Sequence, residues 1–148
     1  MFFRNRYKKL SNFSPDSFVD EYGLRWKTAE HYFQAHKTNN QYQHMAIFLA
    51  PDGKSAKALG DKLRKAGEII EDWNKVRHAV MLKALIFKFS QNPEAKRVLM
   101  STEGTIEESN TWHDNYWGNC ICQKCKNLPG KNMLGRFLMR IRDNYFKY

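Results

Sequence analysis

The stretch DWNKVRHAVMLKALIFKFSQNP, Asp72 to Pro93, decides the fold class. Within it Trp73, Val76, Val80, Ala84 and Phe87 recur every three or four residues, the period of one helix face. The spacing predicts a long helix with those five residues as its buried stripe. Asp72 stands where an N-cap belongs. Asn92-Pro93 ends this helix and opens the next, with Asn92 as cap and Pro93 in the first turn.

Working outward, the same pattern predicts further helices on both sides. Toward the N-terminus one runs from near Ser55 to Ala66 and is ended by Gly67. Another runs from about Gln41 to Leu49 and stops at Pro51-Asp52-Gly53. A third starts after Thr28 as N-cap and puts Ala29, Tyr32, Phe33 and His36 on one face. Toward the C-terminus a helix from about Asn132 to Tyr145 turns Leu134, Phe137, Leu138 and Ile141 inward. Ahead of Thr28, Phe18 to Lys27 carries a Gly23 turn and the alternating pair Leu24 and Trp26, which fits a small hairpin. Tyr7 to Phe13 reads as an extended segment closed by Ser14-Pro15-Asp16. The expected class is mainly α (α+β), multihelical with a small N-terminal β-hairpin, in a single domain over residues 1–148.

The chain has 25 Lys and Arg against 15 Asp and Glu, a formal charge of +10. Such a balance points to a polyanionic partner or a phosphate-bearing substrate, or to plain solubility. The basic residues are spread out, with no block resembling a nucleic-acid arm. No apolar run reaches the ~18 residues of a membrane span, and the N-terminus lacks a signal peptide's apolar stretch. The three cysteines crowd between 120 and 125, unlike a secreted disulfide framework. The expectation is a cytosolic protein with reduced thiols and no membrane association; no oligomeric state is read from the sequence.

Four blocks carry candidate chemistry. In Thr28-Ala29-Glu30-His31-Tyr32-Phe33-Gln34, Glu30 points to the edge of the apolar stripe, with Gln34 and Lys37 one and two turns further on the same side. A carboxylate there can face a cleft, or can simply complement the helix N-terminus. His31 reads as a surface or packing histidine. It has no metal-pairing partner four residues on, where Ala35 stands. In His113-Asp114-Asn115-Tyr116-Trp117-Gly118-Asn119, an acid beside Trp117-Gly118 suits a pocket wall. The indole offers a flat face, and the glycine allows close backbone approach to a ligand; a buried indole anchoring a loop fits equally. Pro129-Gly130-Lys131-Asn132 before the last helix reads as a phosphate site on free N–H groups, or as an ordinary turn with Asn132 as N-cap. In Cys120-Ile121-Cys122-Gln123-Lys124-Cys125, three thiols with His113 upstream number four zinc ligands. Most structural zinc sites use two separated ligand pairs, and no second pair is visible here. Reduced cysteines packing a loop, with no metal, is therefore the expectation.

Taken in order, these blocks resemble the NADAR (YbiA-like) family. The resemblance rests on Leu10-Ser11-Asn12-Phe13, Thr28 to Ala35, Asp72-Trp73, Val80 to Leu85, Lys88-Phe89 and Asn92-Pro93. It continues through Asp114 to Gly118, Gly130 to Gly135, and Leu138 to Arg142. It covers almost the whole chain. It implies a mostly helical fold, N-glycosidase activity without a cofactor, and a substrate with a ribose C1–N bond beside phosphate. Two substrate classes go with the family: ADP-ribose attached to guanine in nucleic acid, and phosphoribosylated intermediates of riboflavin biosynthesis. The charge of +10 favours the first. Cys120 to Cys125 departs from the family pattern, where a Gly-rich or cysteine-free loop is expected.

The bond passes through an oxocarbenium-like state, so the carboxylate logic of O-glycosidases applies by analogy. Glu30 is the first candidate for the base that activates water. Asp114 is second, sharing that work or holding ribose hydroxyls. Trp73 and Trp117 are candidates to stack on base or ribose, with Gly118 beside them. Lys131 and Asn132 would hold phosphate, and Asn12 and Phe13 would complete the wall. The rival class is a non-catalytic nucleic-acid-binding module, in one form with zinc on the cysteines. Glu30, Asp114, Trp117 and Asn132 are surplus to such a module.

Overall fold

The structure, a computed structural model, describes residues 1–146. The chain divides into two units, one comprising Asn12–Ala95, the other Met1–Ser11 and the chain from Lys96 onward.

The Asn12–Ala95 unit opens with a hairpin, β1 (Phe18–Val19) against β2 (Arg25–Trp26), antiparallel with Phe18 opposite Trp26. Asp20 builds its turn: the carboxylate accepts the N–H groups of Tyr22 (2.9 Å) and Leu24 (3.0 Å) and the Trp26 indole N–H (2.9 Å). Four helices follow: α1 (Ala29–Ala35), α2 (Gln41–Phe48), α3 (Gly53–Lys65) and α4 (Trp73–Gln91). The first three are capped by local chemistry. Thr28 Oγ1 accepts from His31 N–H, Asn40 Oδ1 from Tyr42 and Gln43, and Asp52 Oδ1 from Ser55. Helix α1 packs against α2, α3 and α4. The core comprises Phe18, Trp26, Tyr32, Ile47, Leu63 and small residues, with Trp26 stacked edge-on to Tyr32 (5.4 Å) and Phe48 (4.9 Å).

In the second unit a 3₁₀ helix spans Asn5–Leu10. Helix α5 (Pro93–Met100) contains the sequence boundary of the units, which falls after Ala95. The two-residue strands β3 (Ser109–Asn110) and β4 (Asn119–Cys120) pair in parallel. Helix α6 (Met133–Arg140) continues as a π-helical turn, Ile141–Tyr145. Leu134, Phe137, Leu138 and Ile141 are all buried, as their spacing predicts. No helix among the described residues is long and apolar enough to cross a membrane.

The mainly helical class and the N-terminal hairpin agree with the sequence reading, and three details differ. Tyr7 to Leu10 is 3₁₀-helical rather than extended, because i→i+3 bonds such as Ser11 N–H to Lys8 O (3.1 Å) satisfy the backbone locally. Asp72 precedes α4 without a side-chain cap bond. The buried face of α4 is wider than one stripe. Met81, Leu85, Lys88 and Phe89 are buried with Trp73 and Ala84, while Val76, Val80 and Phe87 are only partly so.

Candidate functional site

The Glu30 carboxylate is buried in the first turn of α1, 7% exposed. Backbone bonds fix it there: Glu30 N–H donates to Asn12 O (3.1 Å), while Thr28 Oγ1 takes the next donor. Gln34, one turn on, donates its amide N–H to Glu30 Oε1 at 2.7 Å. Burial raises the Glu30 pKa above its ordinary 4.5; the Gln34 hydrogen bond and the charges of Lys37 and Lys57 oppose the rise, and Asp61 adds to it. Lys37 is itself buried and its pKa is lowered, again chiefly by burial, with Glu30 opposing. A carboxyl group held this way can lose and take a proton nearer neutrality than a solvated one.

Two buried acceptors flank this group. Asn12 Oδ1 and Gln34 Oε1 have no hydrogen-bond partner in the protein. Asn12 Nδ2 instead meets Met81 Sδ at 3.5 Å. Unpaired buried acceptors are costly, and a hydroxyl or a water is the kind of donor that can satisfy them. Gln34 keeps its position because α3 carries Gly60 opposite it: a Cβ there would collide with the Gln34 amide. Phe13 is 41% exposed and lies against Gly53 at the start of α3. Trp73 is 7% exposed with its ring 5.1 Å from Phe33, so little of it is open to a ligand.

His31 is fully buried and structural. Its Nε2 lies 2.9 Å from the Ala50 carbonyl, an acceptor, so Nε2 carries the proton. Its Nδ1 then accepts from Thr28 Oγ1 at 2.7 Å, and burial lowers its pKa, keeping it neutral. A separate concavity of about 330 Å³, lined by His36, Thr38, Asn39, Gln41 and His44, includes none of the candidate residues.

The remaining candidates lie in the second unit and form a tightly bonded loop. Asp114 Oδ1 accepts the N–H groups of Tyr116 (3.0 Å) and Trp117 (2.9 Å), a turn-forming role. Trp117 is half-buried, 5.1 Å from Tyr116 and 6.1 Å from Phe137. The glycine at 118 answers an internal need: a Cβ would stand 2.6 Å from the Glu108 carbonyl oxygen.

The start of α6 corrects the reading of free N–H groups. Lys131, Asn132, Met133 and Leu134 N–H donate to the carbonyls of Asn115, Gly118, Tyr116 and Trp117 at 2.8–3.2 Å. Asn132 is left-handed (φ 52°) and makes no side-chain cap bond. Its Oδ1 accepts from Glu108 N–H (2.9 Å) and its Nδ2 donates to Ile106 O (2.8 Å). The backbone cradle is thus filled by the protein's own loop, and the Lys131 side chain is exposed, its ammonium 5.5 Å from the Tyr116 ring centroid. Asn132→Ala is expected to cost about 1–3 kcal/mol by stranding two backbone groups. Chemical denaturation with an unchanged midpoint would show that those bonds contribute nothing.

The structure therefore groups Glu30 with Asn12, Gln34 and Lys37, and separately groups Asp114, Trp117, Gly118, Lys131 and Asn132. Gly60, Lys57 and Asp61 of α3 are not singled out by the sequence pattern. A glycine inside a helical pattern was the available signal, since it costs helix stability and is kept for packing.

The NADAR domain family matches residues 1–145. The maize chloroplastic riboflavin biosynthesis protein PYRR is 37% identical, over 90% of this chain and 23% of its own length. N-glycosidase YbiA of Shigella flexneri serotype 5b is 33% identical, over 93% of this chain and 81% of its own. The NMR structure of E. coli YbiA superimposes with a TM-score of 0.79 at 30% identity, covering 98% of this chain and 83% of that one.

Proposed function

The chain belongs to the NADAR domain family, and from that premise we propose that it hydrolyses the ribose C1–N bond of a phosphate-bearing nucleoside-type substrate, removing ADP-ribose from guanine in nucleic acid. The class of enzyme, a hydrolase of N-glycosyl bonds, follows from relatives named N-glycosidase. The observation that carries the chemistry is the buried Glu30 carboxylate, held by Gln34 at 2.7 Å beside two unpaired acceptors.

Water attacks C1 as the C1–N bond breaks, and the bonding pair leaves with the nitrogen. Glu30 takes the proton of that water, and its charge stabilises the oxocarbenium-like centre. The departing nitrogen gains a proton, so the products are the free base and a sugar with a C1 hydroxyl. Asn12 Oδ1 and Gln34 Oε1 are suited to accept from the water or from ribose hydroxyls. Asp114, with one oxygen spent on its turn, suits holding ribose better than acting as base. Half-buried Trp117 and exposed Phe13 are candidates to stack on base or ribose, and the buried Trp73 is less suited to it.

The net charge of +10 supports a nucleic-acid-borne substrate. The name of the maize relative favours the second reading, phosphoribosylated riboflavin intermediates. One panel separates them: ADP-ribosylated DNA against those intermediates, with released sugar measured for each. Faster turnover of the small metabolites would reverse the preference.

Lys131→Ala is expected to raise KM for the phosphorylated substrate and leave kcat nearly unchanged. Phosphate lies away from C1, so its contact is already present in the ground state. Loss of one charge-assisted contact costs about 1.5–3 kcal/mol, roughly ten- to a hundredfold in affinity. The effect should shrink with a dephosphorylated substrate. An unchanged KM would remove Lys131 from phosphate recognition.

A further inference from the structure

The segment from Thr111 to Lys131 has almost no core of its own. Its only buried residues are Gly118, Cys120 and Cys125, while Trp112, Ile121 and Leu128 are each about half exposed. Stretches this poor in buried apolar surface ordinarily need a staple. Polar bonds do part of the work: Asn110 Oδ1 accepts from Trp112 and Asp114 N–H, and Asn115 Oδ1 accepts from Cys120 N–H.

The second ligand pair missing from the sequence pattern is supplied by the fold. The parallel pairing of Asn110 with Cys120 brings the turn after β3 beside the end of β4. His113, at φ 69°, turns its ring onto the three sulfurs. Its Nδ1 is 3.3 Å from Cys125 Sγ, 3.4 Å from Cys122 Sγ and 3.9 Å from Cys120 Sγ. All four donor atoms lie within 4.8 Å of one another. Tetrahedral zinc with Zn–S of about 2.3 Å and Zn–N of about 2.0–2.1 Å requires N···S separations near 3.6 Å and S···S separations near 3.8 Å. The three observed N···S distances bracket that value.

We propose that His113, Cys120, Cys122 and Cys125 form a structural zinc site that pins the loop carrying Asp114 to Gly118. Three thiolates and one imidazole are a soft, tetrahedral donor set, which selects zinc over the hard cations. Cys122-x₂-Cys125 is one chelating pair, and His113 with Cys120 is the other. Left-handed φ at a non-glycine residue is retained where something over-determines it, and the metal does so at His113. The His113 N–H donates to Cys120 Sγ at 3.3 Å, an outer bond of the kind that fixes thiolate ligands. Four protein ligands close the site, so its role is to hold the loop rather than to activate water. The same loop supplies the carbonyls that cap α6.

The test uses the full chain, purified with zinc and without chelator. Elemental analysis is expected to give one zinc per chain. Cobalt(II) exchanged into the protein should show the intense red-region bands of a tetrahedral site and thiolate charge transfer. His113→Ala and Cys122→Ser should each weaken zinc roughly a hundredfold or more, beyond the loss typical of an outer-shell partner. Should either variant fold poorly, chelator titration of the wild type gives the same constant, and metal removal should lower Tm. Zinc well below one per chain after reconstitution would overturn the assignment. So would an octahedral cobalt spectrum, or disulfides among the three cysteines in the protein as purified. Each readout is independent of glycosidase activity, so the zinc site and the enzymatic reading can fail separately.

Discussion

Glu30→Gln is expected to fold normally, lose most activity and become at least as stable as the wild type at neutral pH. Gln keeps the shape and still accepts from Gln34, so the packing of α1 is retained. It removes the charge that stabilises the reacting centre and the site that takes the proton of water. Loss of a general base typically costs ~10²–10⁴ in rate. The stability change follows from burial. The folded carboxyl has a pKa above its ordinary 4.5, so the native state holds a proton that the unfolded chain releases. Wild-type stability from this group therefore falls as pH rises from about 4.5 through the folded value, and the glutamine variant escapes that loss. Below pH 4.5 the two proteins converge. Catalysis runs the other way, since the base works only when deprotonated, so wild-type kcat should rise over the same window. A Glu30 that served only to complement the helix N-terminus would give the opposite stability result, with Glu30→Gln less stable at neutral pH.

Gly60→Ala should destabilise the protein by about 1–3 kcal/mol, the range for overpacking a tight contact. The usual effect of this change inside a helix is stabilisation by roughly 0.5–1 kcal/mol, so the sign itself is informative. The new Cβ would collide with the Gln34 amide, which must then leave Glu30. Loss of a hydrogen bond to a charged group costs about 1.5–3 kcal/mol, so turnover should fall roughly ten- to a hundredfold. Gly60→Ala combined with Gln34→Ala makes room for the methyl group and should recover stability but not activity. A stabilised Gly60→Ala protein with wild-type turnover would show that Gln34 is not held by α3.

Local signals carried much of the fold. Thr28 and Asn40 cap their helices through side chains suited to that purpose, and Pro51-Asp52-Gly53 both stops α2 and starts α3. The hairpin was legible because the Gly23 turn separates short segments whose inward residues, Phe18 and Trp26, face each other across it. What stayed hidden was long-range. Asn132 reads as a cap from its neighbours, yet its amide bonds Ile106 and Glu108, some two dozen residues away. The N–H groups of the α6 start look free until Asn115 to Gly118 folds over them. Spacing alone likewise separates His113 from Cys125, and only the β3–β4 pairing brings the imidazole onto the sulfurs. Glu30 was legible as an acid at the edge of an apolar stripe. Its depth, and the Gly60 that makes room for its partner, required the packing of α1 on α3.

The most direct measurement is the release of ADP-ribose from ADP-ribosylated guanine in DNA, followed side by side for wild type and Glu30→Gln. The wild type should liberate ADP-ribose and leave unmodified guanine in the strand, with Glu30→Gln slower by at least about a hundredfold. Equal release by the two proteins would contradict the role of Glu30. No release from this substrate or from the phosphoribosylated intermediates would contradict the glycosidase account itself.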